Sequence, residues 1–241
     1  MTIEEKEKKE LAHWANDPEE NPDVFGIYGV LNKMYESRAF VKKLTAYNEY
    51  FMNADSILEL GAGQGWASCI TKNIFSTSTV YVSDLSLDAI KYLHKWEKIF
   101  NVNIDKSFAC RSNEIPLDND FINLIFCFQS AHHFTKHNDT MKEINRVLKP
   151  GGVCLYLSEP SCMKYMHSFA YKKINETRPN VPEDVLIYEE ILKIGNENGF
   201  IVKNIIDSAF PCQNICHYLI RKIKLHKYLL ICSSDFIFIK Q

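Results

Sequence analysis

Ser56-Ile57-Leu58-Glu59-Leu60-Gly61-Ala62-Gly63-Gln64-Gly65-Trp66 is the stretch that decides the fold. Apolar residues run up to a glycine cluster and an amphipathic segment follows, the pattern of a buried strand, a tight turn and the start of a helix. Glycines at 61, 63 and 65 let the backbone turn sharply and let a ligand approach main-chain N–H groups. A loop of this kind holds a nucleotide-like ligand.

On its C-terminal side, strands and helices alternate. The first strand is predicted over about 55–60 and its helix over 65–75. Thr79-Val80-Tyr81-Val82-Ser83 is a second strand ending at Asp84, and Ser86 is the expected N-cap of a helix running to about Phe100. Ile104 to Ala109 is a short third strand, and Ile122 to Phe128 is a fourth, apolar enough to be buried on both faces. Thr140 to Leu148 reads as a helix stopped by Pro150-Gly151-Gly152, with a fifth strand over Val153–Leu157. A helix over 184–197, a sixth strand over 200–206, a helical stretch over 212–227 and a seventh strand within 228–239 complete the pattern. Arg221, Lys222, Lys224 and Lys227 read as a solvated helical face. The alternation predicts a mainly parallel α/β sheet with helices on both faces.

Residues 1–50 precede the first strand and read as helical, with Val30, Leu31, Met34, Val41, Leu44 and Tyr47 at the spacing of a packed stripe. Asn16-Asp17-Pro18 and Asn21-Pro22 punctuate the approach to it. Tyr28, Tyr35 and Arg38 could face a ligand above the glycine loop, although packing or solvation explains them more simply. Residues 161–183, with Pro179 and Pro182, carry no strand signal.

At 241 residues the chain suits one α/β domain with a sizeable core, and a net charge of −2 gives no global argument for nucleic acid. The eight cysteines include Cys69, Cys127 and Cys154 inside predicted core elements and form no CxxC pair. Cys212 and Cys216 have no partners at zinc-site spacing, so neither a disulfide framework nor a metal site is expected. Reduced thiols suggest a cytoplasmic protein. The charged N-terminus has no apolar core of a signal peptide, and no apolar run is long enough to span a membrane.

The spacing around the loop narrows the ligand. A dinucleotide loop wants Gly-x-Gly-x-x-Gly, but the third position is the bulky Trp66, and no Gly-Lys-Ser/Thr of a phosphate loop follows. Asp84 closes the second strand 21 residues after Gly63 (84 − 63), where a carboxylate accepts ribose hydroxyls; capping of the next helix is its structural alternative. Loop and acid together indicate an adenosine ligand without a diphosphate.

On these residues the sequence resembles the class I S-adenosylmethionine-dependent methyltransferases, of the group that modifies small molecules. Glu59 to Gly65 looks like their first motif, and Asp84 like the acid ending their second strand. Asn113-Glu114-Ile115-Pro116-Leu117 leading to Ile122-Asn123-Leu124-Ile125 is similar to their segment before strand four. Gln129-Ser130-Ala131-His132-His133-Phe134 and Glu143 to Gly152 are similar to the stretches after strand four and before strand five. The resemblance covers about 55–160, and weakly 184–239. It implies a doubly wound, mainly parallel seven-stranded sheet with the last strand antiparallel. It also implies a helical cap over 1–50, a Rossmann-like domain over 51–241 and a substrate lid near 161–183.

The same resemblance assigns roles. Glu59, Gly61, Ala62 and Gly63 belong to the cofactor loop, with Gly61 and Gly63 against the methionine part of S-adenosyl-L-methionine. Asp84 takes the ribose, Leu85 lies beside the adenine, Ser112 offers backbone to it, and Gln129 lies near the sulfonium. Arg111 stands where an acid is customary, and Asn123 replaces a common aspartate.

The sulfonium is itself a strong electrophile, so the protein mainly aligns a nucleophile and excludes water, with a base needed for hydroxyls or acidic carbons. His132, His133 and Glu159 are the candidates, at the C-terminal ends of strands four and five, and His133 is favoured. Tyr28, Tyr35, Tyr165, Phe169 and Tyr171 suit a small organic acceptor, with no nucleic-acid partner expected. A non-catalytic cofactor-binding regulator is the alternative. A nucleic-acid or protein methyltransferase is disfavoured because no Asn-Pro-Pro-Tyr-type stretch ends strand four, and a nicotinamide oxidoreductase because of Trp66.

Overall fold

Alternation of side chains through the central strands builds two cores from one sheet. The computed structural model describes residues 3–16, 27–176, 183–207 and 215–241. In β1 (Ser56–Leu60) and β4 (Ile122–Phe128), Ile57, Leu124 and Phe126 point to one face, while Leu58, Ile125 and Cys127 point to the other. Strands with apolar residues on both faces are stable only when helices cover both faces.

The sheet grows from this pair. β2 (Thr79–Asp84) and β3 (Lys106–Ala109) lie beyond β1, and β5 (Leu148–Cys162), β8 (Cys232–Lys240) and β7 (Phe200–Asp207) lie beyond β4. The order is β3-β2-β1-β4-β5-β8-β7, parallel throughout except that β8 runs antiparallel to both β5 and β7. A two-residue strand, β6 (Leu186–Ile187), pairs with the end of β5 at Ser161–Cys162, one strand more than the predicted seven. Chain order reverses between β1 and β4, which opens a crevice at their C-terminal ends.

On one face lie α2 (Ile27–Ala46), α3 (Asn48–Met52), α4 (Trp66–Ile74) and α6 (Leu93–Phe100), and on the other α7 (His137–Val147) and α9 (Tyr188–Glu197). The α2 stripe differs from the predicted one. Phe40, Leu44 and Tyr47 are buried, whereas Leu31, Met34 and Val41 are exposed and the Val30 side chain lies outside the described residues. Phe40 stacks on Phe126 at 5.5 Å and meets Trp66 and Phe128 edge-on, so ring packing selects the buried face.

Other boundaries moved for local reasons. The predicted helix after Asp84 is two pieces, α5 (Leu87–Ile90) and α6, with Ser86 capping the first through Ala89 N–H. Pro150-Gly151-Gly152 ends α7 but lies within the long β5. Residues 164–175 are a 3-10 turn and α8 (His167–Asn175), and the 212–227 stretch yields α10 (Ile215–Lys222) and α11 (His226–Leu229). Lys222 and Lys224 are exposed, but Arg221 is half-buried and Lys227 lies over the Tyr188 ring. The Asp17–Pro18 and Asn21–Pro22 turns, Pro179, Pro182 and Cys212 lie outside the described residues. The other seven cysteines are free thiols.

The segment between β3 and β4 is fixed by one side chain. Arg146 on α7 donates to both oxygens of Glu143 (2.9 and 2.7 Å), to the carbonyls of Ile115 (2.9 Å) and Leu117 (2.8 Å), and to Asn119 (2.8 Å). Glu143 in turn accepts from the Ile115 N–H at 2.8 Å. Removing a planar donor that satisfies several acceptors at once leaves them without partners. Arg146→Ala is expected to lower unfolding stability by about 2–3 kcal/mol, read as a lower urea midpoint at unchanged slope. Arg146→Lys is expected to restore only a minor part, because an ammonium cannot span the same acceptors.

Candidate active site

The loop after β1 turns through left-handed backbone at Gly61 (φ 69°), Gly63 (φ 54°) and Gly65 (φ 77°). Each glycine is also needed for space. A Cβ at Gly61 would lie 2.8 Å from Ser130 Oγ, one at Gly63 2.8 Å from the Trp14 ring, and one at Gly65 2.6 Å from Leu93. Gly65 therefore serves helix–sheet packing, and Trp66 can begin α4 with its indole 8 % exposed in the core. The Ala62 N–H donates to the Ser83 carbonyl at 2.9 Å, pinning the loop to the end of β2.

Asp84 closes that strand with both oxygens engaged. Oδ2 accepts the Gly63 N–H and Oδ1 the Ser86 N–H, each at 2.8 Å. Each carboxylate oxygen keeps a further lone pair for a ligand hydroxyl. Burial lifts the carboxyl to about 6, with the two backbone donors opposing and Glu10 adding to the rise. The capping alternative for Asp84 does not hold: Ser86, not Asp84, is the side-chain cap of the next helix.

At the end of β4 the backbone turns through Gln129, in left-handed conformation at φ 52°, into a 3-10 turn at Ala131–His133. This reversal presents two neighbouring imidazoles, 4.2 Å apart by ring centroid. His132 is buried; its Nδ1 lies 2.7 Å from Glu159 Oε2 and its Nε2 2.7 Å from Glu183 Oε2. Burial works against charging this ring, but the two carboxylates outweigh it and raise it to about 9. Its side-chain neighbour His133 is half-buried, with Nε2 3.3 Å from the same Glu183 oxygen and Nδ1 3.5 Å from Glu10. Burial opposes ionisation of Glu183, and the two histidines overcome it, holding its carboxyl well below the usual carboxylate range.

Gly61, Ala62, Gly63, Asp84, Leu85 and Gln129 all line one cavity of about 2130 Å³, which His132, His133, Arg111 and Ser112 also border. Ser112 bonds to Thr140 at 2.8 Å. Arg111 is taken up by an ion pair with Glu7 (Nη2–Oε2 3.0 Å, Nε–Oε1 3.2 Å) on α1 (Ile3–Asn16). Two expected site residues are not brought to the cavity. Glu59 turns its carboxylate beneath the loop to the Ser68 hydroxyl, and burial pushes it up to about 8. Glu159 is fully buried behind His132, where it also accepts the N–H groups of Ser130, Ala131 and His132 at 3.0–3.1 Å. It holds the histidine rather than facing a substrate.

Glu183, Glu10 and Trp14 border the cavity and were not among the expected residues. Trp14 lies on Gly63 and donates to Glu10 at 3.2 Å. None carries a motif: Glu183 meets His132 across 51 residues, and α1 reads as an ordinary charged helix. Tyr35 and Arg38 also line the cavity, Tyr35 exposed, while the Tyr28 side chain lies outside the described residues.

Among the described residues no helix is long and apolar enough to cross a membrane. Comparison with known proteins matches residues 58–156 to the family described as "Methyltransferase domain". An uncharacterised methyltransferase-like protein of Schizosaccharomyces pombe is 34% identical over 111 residues, 44% of this chain and 39% of that protein. The fatty-acid O-methyltransferase of Mycolicibacterium smegmatis is 25% identical over 100 residues, 42% of this chain and 35% of that enzyme. The aligned stretch thus spans well under half the length of these two relatives. Among solved structures, geranyl diphosphate C-methyltransferase from Streptomyces coelicolor superposes with a TM-score of 0.68 at 14% identity, over 97% of this chain and 96% of that one, which bears on the fold. With the sheet order, the glycine loop and Asp84 in place, residues 58–156 match a methyltransferase domain, and the fold around them is that of solved methyltransferase structures.

Proposed function

We propose that this chain transfers the methyl group of S-adenosyl-L-methionine to a small organic acceptor by in-line displacement. The observation that carries this reading is the shared cavity: glycine loop and Asp84 at one side, the His132–His133–Glu183 cluster beside them, and open space beyond. Ligand sites of about 300–1,000 Å³ are usual, so about 2130 Å³ has room for the cofactor together with an organic acceptor. Met166, Phe169, Ile174, Leu229 and Ile231 line its far side and suit an acceptor with an apolar body. A net charge of −2 and a recessed site favour such a molecule over nucleic acid. Buried free thiols suit a reducing compartment such as the cytoplasm.

In this reading Gly61, Ala62 and Gly63 approach the methionine part of the cofactor, and Asp84 accepts the ribose hydroxyls. Leu85, Ser112 and Arg111 border the adenine, and Gln129 the sulfonium. His133, the more open imidazole, faces the acceptor; His132 is held behind it by Glu159. Alpha helices α1 and α8 cover the two ends of the cleft, as cap and lid. The protein supplies alignment and exclusion of water, and methyl transfer leaves the electron pair of the broken C–S bond on sulfur.

Asp84→Ala is expected to weaken cofactor binding at least tenfold, since it removes two charge-assisted hydrogen bonds of roughly 1.5–3 kcal/mol each. Calorimetry giving unchanged affinity would refute the ribose assignment. Wild-type affinity should also fall as pH drops through about 6, where Asp84 takes a proton and loses acceptor capacity. For folding the sign is opposite. The folded value lies above the ordinary 3.8, so the contribution of Asp84 is fully present below 3.8 and is lost as pH rises through about 6. Glu10, His133, Glu59 and Cys110 share its surroundings, so the profile is assigned by Asp84→Asn, which should flatten it.

His133→Ala should lower turnover by about 10²-fold or more while leaving cofactor affinity within a factor of about two. Unaltered turnover with the native acceptor would remove His133 from the acceptor's reaction.

A further inference from the structure

The geometry points to a divalent metal site at His132 Nε2, His133 Nε2 and Glu183, placed to bind the acceptor's nucleophilic atom; it deepens the methyltransferase reading and rests on it. Among the described residues these three offer ligand atoms that all lie within 4.8 Å of one another. The separations from Glu183 Oε2 are 2.7 Å to His132 and 3.3 Å to His133. Metal–nitrogen and metal–oxygen bonds of about 2.0–2.2 Å put ligand atoms about 3 Å apart, close to both of these separations.

Three features make this more than a cluster. First, His132 is oriented as metal-bound histidines are. Glu159 is held by three backbone N–H groups and accepts the Nδ1 proton, so Nε2, which donates to Glu183 in the metal-free protein, is the nitrogen that an ion takes in exchange for that proton. Second, the lining is rich in carboxylates: Glu159 and Glu183 lie against His132, and Glu183 and Glu10 against His133, which suits a cation. Third, all three ligands border the cavity, so coordination positions they leave vacant are reached from the acceptor space.

Two imidazoles and one carboxylate select a first-row transition ion such as zinc or ferrous iron over magnesium or calcium, which prefer all-oxygen sites. An acceptor hydroxyl or thiol bound to such an ion loses its proton to water at neutral pH. Its lone pair then forms the bond to the methyl carbon as the C–S bond breaks, and sulfur leaves as the neutral thioether. No oxidant or reductant is needed.

The test uses chelator-treated full-length protein titrated with Co²⁺, followed by its visible ligand-field bands, and in parallel with Zn²⁺ by calorimetry. One equivalent is expected, with the bands of a low-symmetry four- or five-coordinate site. Glu183→Gln and, as an independent variant should that one fail to fold, His133→Asn should each weaken Co²⁺ binding at least tenfold. Absence of stoichiometric binding, or equal binding by wild type and variants, overturns the inference. So does full methyl transfer by metal-free protein, an outcome that leaves the proposed function standing. Calorimetry with S-adenosyl-L-methionine on the same samples reports separately on that function, which fails if the folded protein does not bind the cofactor.

Discussion

The site depends on a carboxylate that does not border the cavity. Glu159 has 0 % exposure, and burying such a group is costly unless every lone pair finds a donor. Here four donors do so, three of them successive main-chain N–H groups at Ser130, Ala131 and His132. That arrangement ties the turn after β4 to β5. It explains why the chain reverses through a left-handed Gln129 and a 3-10 turn instead of continuing as strand. Neutralising Glu159 would leave three backbone donors in the interior, so the turn and the histidine orientation are one energetic unit.

A second acid does the equivalent work on the other side of the crevice. Asp84 links the glycine loop to the start of α5. Between them, Asp84 and Glu159 hold the ends of β2, β4 and β5 in fixed relation across β1, at the place where strand order reverses. The rigid part of the pocket is therefore made by acids accepting from backbone, and only the outer walls, α1, α2 and α8, are supplied by helices that pack from outside.

Much of this was legible in the sequence because it is local. Continuous apolar runs marked the strands, and the glycine spacing marked the loop, with Asp84 at the end of the next strand. The reading failed where side-chain direction or distant contact decides. Glu159 sits at a strand end, as expected of a substrate-facing residue. A left-handed Ser158 (φ 59°) and a register shift between Tyr156 and Glu159 turn it inward, and strand position alone carries no trace of that. Helical spacing marked Leu31 and Met34 as packed, but aromatic contacts of Phe40 rotate α2 so that both face solvent. Glu183 and Glu10 reach the histidines from segments without motif, so only the folded chain brings them together.

The placement of β8 bears on how the molecule is made. β8 lies between β5 and β7, and it is the ladder partner that β7 has among the described residues. During synthesis β7 emerges first and can join the sheet only after β8 has followed and threaded into the gap beside β5. Until then the β5 edge, with Cys154 and Tyr156 in its strand, has no neighbour on that side. An unpaired apolar edge is an invitation to non-native pairing, and β8 is the strand that closes it.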